Sequence, residues 1–349
     1  MALRRRRAGA PGRRVGHRSL RAEPPPQFVR TATEQRASAP AAHKLTGPTP
    51  APIRYAYAPS CEGTDACDHW ILVSARGERR WLPDAGDGGS LTLSPDGLRA
   101  AHWSATAGRF VVLDLKAETT RTLPVKGEDS IGELLGGRPP LLSLDGRHLL
   151  VQSDHLDKND EVVLERPLIV DIERGTVTRL PGGETVVGWT AAGLALVRER
   201  STDRLPGHVS TASFVIRSPR GEVIRRIVLP GNLAKDLFSP SGRTLATLAR
   251  EIAPDGVVTT GVVLVGTSKG HPARTVVPRQ PTGRQIAEIL RWEGENALVV
   301  RTADARNNGA YHLLDPTDGA MRPIEISTPD VVDLPLNPME TALVLGSVR

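Results

Sequence analysis

From Leu91 onward the chain repeats one pattern: a short apolar stretch, a polar turn, and a second apolar stretch. The clearest copies are "LTLSPDG" ending at Gly97, "PLLSLDG" at Gly146, "VGWTAAG" at Gly193 and "DLFSPSG" at Gly242, with degenerate copies "LRWEGEN" to Asn296 and "LPLNPME" to Glu340. Each is followed by a strand-like run, such as "LRAAHW" from Leu98, "LALVR" from Leu194 or "TALVLG" from Thr341. Ser-Pro-Asp-Gly suits a tight turn because Pro fixes φ, Asp can bond the backbone ahead of it and Gly accepts positive φ. The end positions are 49, 47, 49, 54 and 44 residues apart. A period of that size means stacked repeats of a single supersecondary unit rather than unrelated domains.

One column tests the alignment. The residue just before each turn is Leu93, Leu142, Trp189, Phe238, Trp292 and Leu336, large and apolar in all six copies. A second register lies between the first turns, with an apolar strand, a polar hairpin and a returning strand. Its copies begin at Ile71, Val111, Leu168, Phe214, Val262 and Tyr311, and their turns carry Gly77, Gly175, Gly221, Gly270 and Gly319, with Glu118 in the second copy. Asp114, Asp171 and Asp315 recur before these turns, where each can bond its own turn backbone. Two interleaved hairpin series of six predict an all-β, six-bladed β-propeller. The chain enters on a second-register hairpin and leaves on a first-register one. The last blade should therefore be closed by N- and C-terminal strands, with the strand from Ile71 beside the segment around Leu343, which removes two exposed sheet edges.

"LSPDGLRAAHW", "VVLDLKAETTRTLP" and "FSPSGRTLATLA" resemble the repeats of the TolB-like and WD40-like propellers of bacteria, over roughly residues 69 to 349. The Trp-Asp dipeptides of eukaryotic WD40 repeats are absent, which favours the TolB-like end of that range. The resemblance implies an interaction or sensor role in the cell envelope, but fold alone does not fix function.

Charge divides the chain in two. Residues 1–60 hold 11 Arg and one Lys against Glu23 and Glu34, so the whole-chain net charge of +6 conceals a folded body that is net acidic. The body carries no specific nucleic-acid site on this reading. Residues 1–60 are Arg-, Pro- and Ala-rich with little to bury and are read as a disordered basic tail able to contact anionic surfaces; residues 61–349 are read as the propeller. No apolar run suits a membrane helix or the core of a signal peptide. Only six of the 45 basic residues are Lys, which fits a GC-rich coding sequence. Cys61 and Cys67, in "SCEGTDACDHW", are the two cysteines. An even count suits a disulfide in an oxidising compartment, with two free thiols or a metal site shared with Asp65, Asp68 or His69 as alternatives. Family resemblance and this pair favour an extracytoplasmic location; the visible N-terminus carries no export signal.

The search for chemistry is mostly negative. There is no nucleophile elbow, zinc-protease motif, phosphate loop or Cys-x-x-Cys pair, so no catalytic residue, metal site or cofactor is assigned. "SDHLDKNDEVV" is acidic but lacks the Gly and terminal Glu of an EF-hand loop. Asp236, Glu288 and Asp333 fall on expected inner strands and form the candidate binding ring at the channel mouth, with Arg291 placed to neutralise one of them. The expected function is non-enzymatic binding of another protein by a monomer. The alternative is a channel-mouth enzyme, a lactonase-like hydrolase or a lyase, with acidic residues holding a divalent cation.

Overall fold

The structure is a computed structural model and describes residues 42–59, 69–86, 91–104, 106–126, 140–152, 154–156, 162–200, 211–230, 237–253, 256–268, 271–305, 308–326 and 343–348. Among these residues all regular structure is strand, and the strands form six blades. From inner to outer edge, blade 1 is Leu91–Leu93, Arg99–Ser104, Arg109–Asp114 and Thr119–Lys126. Blade 2 is Leu141–Leu142, His148–Val151, Leu168–Asp171 and Val177–Arg179. Blade 3 is Thr185–Thr190, Gly193–Arg200, Thr211–Arg217 and Val223–Pro230. Blade 4 is Leu237–Phe238, Thr244–Ala253, Gly256–Gly266 and His271–Val276, and blade 5 is Arg284–Trp292, Leu298–Asp304, Gly309–Leu314 and Met321–Pro323. The pairs Asp154–Leu156 and Val162–Leu164 extend the middle of blade 2 as a hairpin, whose acidic tip lies outside the described residues.

Blade 6 closes the ring from both ends of the chain, as the interleaved registers predict, but divides its strands differently. Leu343–Leu345 is its inner strand and pairs antiparallel with Ile53–Tyr57, which pairs in turn with His69–Ser74, followed by Arg79–Gly86. The strand from Ile71 is thus one place further out than expected. "TALVLG" supplies the innermost strand instead of the second one, and Leu336 lies outside the described residues. The second strand is "IRYAY", which the composition of residues 1–60 assigns to the tail. Its isolation among prolines hid its alternation, yet Ile53, Tyr55 and Tyr57 are all nearly fully buried. The body therefore begins before residue 60. His43–Lys44 adds a further, parallel strand to the outer edge of the blade at Arg80 and Trp81, and the Thr49 amide donates to the Leu115 carbonyl in blade 1.

The large-residue column is a set of wedges between blades. Leu93 packs with Ala56 and Leu72 of blade 6, Leu142 with Ala101 and Val112 of blade 1, and Trp189 with Leu150 and Ile169 of blade 2. Phe238 meets Phe214 of blade 3 edge to face, and Trp292 packs with Ala246 and Leu264 of blade 4. Each of these five side chains fills the space between its own blade and the preceding one. The two indoles also satisfy their polar atom, with Trp189 Nε1 donating to the Leu141 carbonyl and Trp292 Nε1 to that of Leu237, each at 3.0 Å.

Hairpin chemistry follows the residues. Asp114, Asp171 and Asp315 each accept backbone N–H bonds from their own turns, at 2.7 to 3.1 Å. Gly77, Gly175, Gly221 and Gly319 take positive φ in the second-register turns, and Glu118 takes φ 57° where the other copies have glycine. The Glu118 carboxylate accepts the Gly47 amide at 2.6 Å, which ties the N-terminal segment to blade 1 and accounts for a larger residue at that strained position.

Candidate functional site

The expected ring at the channel mouth is represented by one residue. Asp236 and Asp333 lie outside the described residues, as do Cys61 and Cys67. Glu288 is on the inner strand of blade 5, as expected, with Arg301 opposite it on the next strand. The Arg301 Nε lies 3.6 Å from Glu288 Oε2. Burial nevertheless pushes the Glu288 carboxyl above its usual range, against the lowering effect of Arg301. Arg291, expected to neutralise the ring, points elsewhere: it bonds Glu293 at 2.9 Å and reaches the carbonyls of Leu345 and Gly346. Its partner is the closing strand, because the inner edge of blade 5 faces the C-terminal segment.

A groove with more to offer runs between blades 2 and 3, on the face formed by the tight turns. Two adjoining cavities of about 390 and 330 Å³ share His148 and Pro219. Four turns build their walls, two from each blade. In blade 2, Ser143 donates its hydroxyl to Asp145 at 2.6 Å and accepts the His148 amide at 2.9 Å, closing "SLDG" around Gly146. The second blade 2 turn is held by Asp171, whose Oδ1 accepts the amides of Glu173 and Arg174. In blade 3, Thr190 closes its turn through the Gly193 carbonyl, and the Ser218 hydroxyl accepts the amides of Arg220 and Glu222. That last turn is braced from beneath. Arg217 donates to the Gly221 carbonyl at 3.0 Å while two of its nitrogens meet the buried Glu184 carboxylate at 3.1 Å each.

His148 is the hinge of the groove, and its position follows from register. It opens the second strand of blade 2, directly opposite Asp171, and its ring lies 6.1 Å from that of Trp189. Burial opposes ionisation of Asp145, but the Ser143 hydroxyl, the Arg147 amide and the charge of His148 hold its carboxyl below the usual carboxylate range. Asp171 is likewise lowered against burial, by the Arg174 and Glu173 amides and then by His148. The Ser143 and Ser218 hydroxyls are engaged by their own turns, so neither is set against the His148 ring as a nucleophile beside a base. Trp189 and Pro219 give the groove apolar contact, and Arg174 and Arg220 give it cations. Sequence reading identified Trp189 as a wedge and Asp171 as a turn residue; it missed the groove because neighbouring walls come from turns about 50 residues apart in the chain. His148, two residues after the "LDG" turn, is the available signal.

Comparison with known proteins gives likeness of fold and no family. No family model matches the chain, and no curated protein matches it. Among solved structures, the β-propeller domain of the Trilobed protease from Pyrococcus furiosus is 11% identical, with a TM-score of 0.49, covering 83% of this chain and 85% of that one. The acylaminoacyl peptidase of Pyrococcus horikoshii is 13% identical with a TM-score of 0.47, and this chain, matched over 74% of its length, spans 41% of that enzyme. The oligogalacturonate lyase from Vibrio parahaemolyticus is 10% identical with a TM-score of 0.39, covering 71% of this chain and 83% of that one. The strand pairing of the chain itself makes it an all-β six-bladed propeller.

Proposed function

We propose that this chain is a binding propeller that presents the groove between blades 2 and 3 to a segment of another protein. The observation that carries the reading is the groove itself: two cavities joined at His148 and Pro219, walled by turns whose polar groups are satisfied internally. A surface fixed in this way orders little on binding, so more of the contact energy is retained as affinity. Trp189, His148 and Pro219 offer flat contact area, and the exposed Arg220 offers a cation at the rim. On this reading the chain is an interaction module of TolB-like or WD40-like type, placed in the cell envelope. The channel-mouth alternative draws no support from Glu288, whose carboxylate already faces the Arg301 guanidinium at 3.6 Å.

The test is site-specific crosslinking in the native host. A photoreactive residue at position 220, in the groove, should trap a discrete protein partner, whereas one at Lys116, on the equivalent turn of blade 1, should not. Equal trapping at both positions, or none at 220, would remove the groove as the binding site.

A further inference from the structure

We propose that the outer strand of blade 3, Val223–Pro230, is a strand-addition site for an extended segment of another protein in which two apolar residues flank an acidic one. This rests on the groove reading, since the strand begins where the groove ends, at Glu222, and the two would form one continuous surface.

Exposure singles out this strand. Of the five large apolar side chains that stand exposed among the described residues, Val223, Ile224 and Val228 lie on it, at 41, 51 and 62%. The strand pairs only with Thr211–Arg217, so among the described residues its other edge is an unpaired row of backbone donors and acceptors. The equally long outer strand of blade 1 is the internal control. It reads "TTRTLPVK", with polar side chains outermost and Pro124 interrupting its donors, which are usual protections of an edge. The outer strand of blade 3 has no proline until its final residue.

The neighbouring blade leaves the face uncovered as well. The outer strand of blade 2 is three residues long against eight, and Gly221 in the blade 3 turn sits over Thr178 and Leu180. Cross-strand register assigns the faces. Ile227 and Leu229 share the face of Phe214 and Ala212 and are buried toward blade 4, while Arg226 and Val228 share the face of Val215 and Ser213. A bulge opposite Ile216 and Arg217 carries Val223 onto that second face too. The open face thus reads apolar, basic, apolar.

Charge chooses the occupant. Arg226 has no ion-pair or hydrogen-bond partner among the described residues, and Arg225 reaches only the Gly242 carbonyl, at 3.5 Å. A carboxylate opposite Arg226 makes a favourable cross-strand pair. Residues 1–41, with ten Arg against Glu23 and Glu34, have the wrong sign, and a second copy joined edge to edge would bring Arg225 and Arg226 of both copies together. The mode is already used within this molecule, where His43–Lys44 adds to the outer strand of blade 6.

The experiment measures fluorescence anisotropy of a labelled, end-capped peptide, Thr-Val-Thr-Glu-Thr-Val-Thr, with the full-length chain. Saturable binding is expected. Arg226→Glu should weaken it about tenfold, and the same variant should prefer a peptide with Lys at the centre, since like charges directly opposite repel. Val228→Asp, at an exposed position the fold tolerates, should weaken it as well. A peptide N-methylated at every amide should not bind, because strand addition depends on main-chain hydrogen bonds. Absence of binding, indifference to the sign of residue 226, or retention of the N-methylated peptide would overturn the proposal, as would a concentration-dependent dimer abolished by Val228→Asp. If crosslinking at position 220 persists unchanged in Arg226→Glu while the peptide fails to bind, strand addition alone is refuted; if crosslinking at 220 also fails, the groove reading falls with it.

Discussion

His102 lies on the second strand of blade 1, 3% exposed, with its Nδ1 buried and without a hydrogen-bond partner among the described residues. Burial lowers its pKa from 6.5 to about 4, although the charge of Asp84 pulls the other way. A histidine that resists protonation when folded takes up its proton more readily when unfolded. Its contribution to stability is therefore complete above about pH 6.5, declines as the pH falls toward 4, and amounts to about 3 kcal/mol in all. Asp84 acts in the same sense but at lower pH. Burial opposes its charge, but the Ser104 hydroxyl and Thr106 lower its pKa, so its contribution is lost only at more acid pH. Urea unfolding at pH 7 and pH 4.5 should show a large loss for the native chain and a much smaller one for His102→Met; equal losses would show that another group sets the acid limit. Nothing in the sequence marked His102, because burial at a strand position depends on which blade lies beside it. The recurring Asp residues were legible, because each bonds a turn within three residues of itself.

At the scale of elements, neighbouring blades are joined by the wedge residues. Trp292 fills the space against blade 4 and hands its indole N–H to the Leu237 carbonyl. Two substitutions separate these contributions. Trp292→Phe keeps most of the volume and strands the Leu237 carbonyl, which should cost about 1 to 2 kcal/mol. Trp292→Ala opens a cavity and should cost about 3 to 5 kcal/mol, read from the midpoint of denaturant unfolding. A small difference between the two would mean the blades close over the void. The wedge column was readable because a large side chain recurs at a fixed distance before each turn, and repetition converts a weak local signal into a strong one. The groove was not readable. Its walls are local turns, but their convergence on His148 depends on the angle between two blades, which neighbouring residues in the chain do not specify.

For the whole molecule, the decisive contact is the closure around Ile53. Its N–H donates to the Gly97 carbonyl of blade 1, while its own carbonyl accepts the Ser347 amide near the other end of the chain. Two glycines allow the approach: a Cβ at Gly97 or at Gly346 would lie 2.2 Å from the Ile53 oxygen. Arg291 adds a clamp from blade 5 by donating to the carbonyls of Leu345 and Gly346. Gly346→Ala should therefore open the ring before it unfolds the blades. Hydrogen exchange should quicken in Leu343–Leu345 and Ile53–Tyr57 while blades 2 to 4 keep their protection, and uniform acceleration would show that closure and core unfold as one unit. The blade number, the hairpin turns, the wedge column and a ring closed by both chain ends follow from the sequence alone, because each rests on residues close in the chain or on a pattern that repeats. Which strands meet in the closing blade, where the body begins, and which turns form a groove were settled only by tertiary structure. Those features depend on contacts between residues far apart in the chain, from neighbouring blades in the groove to opposite chain ends in the closing blade, and a single unrepeated strand such as "IRYAY" has no second copy to reveal it.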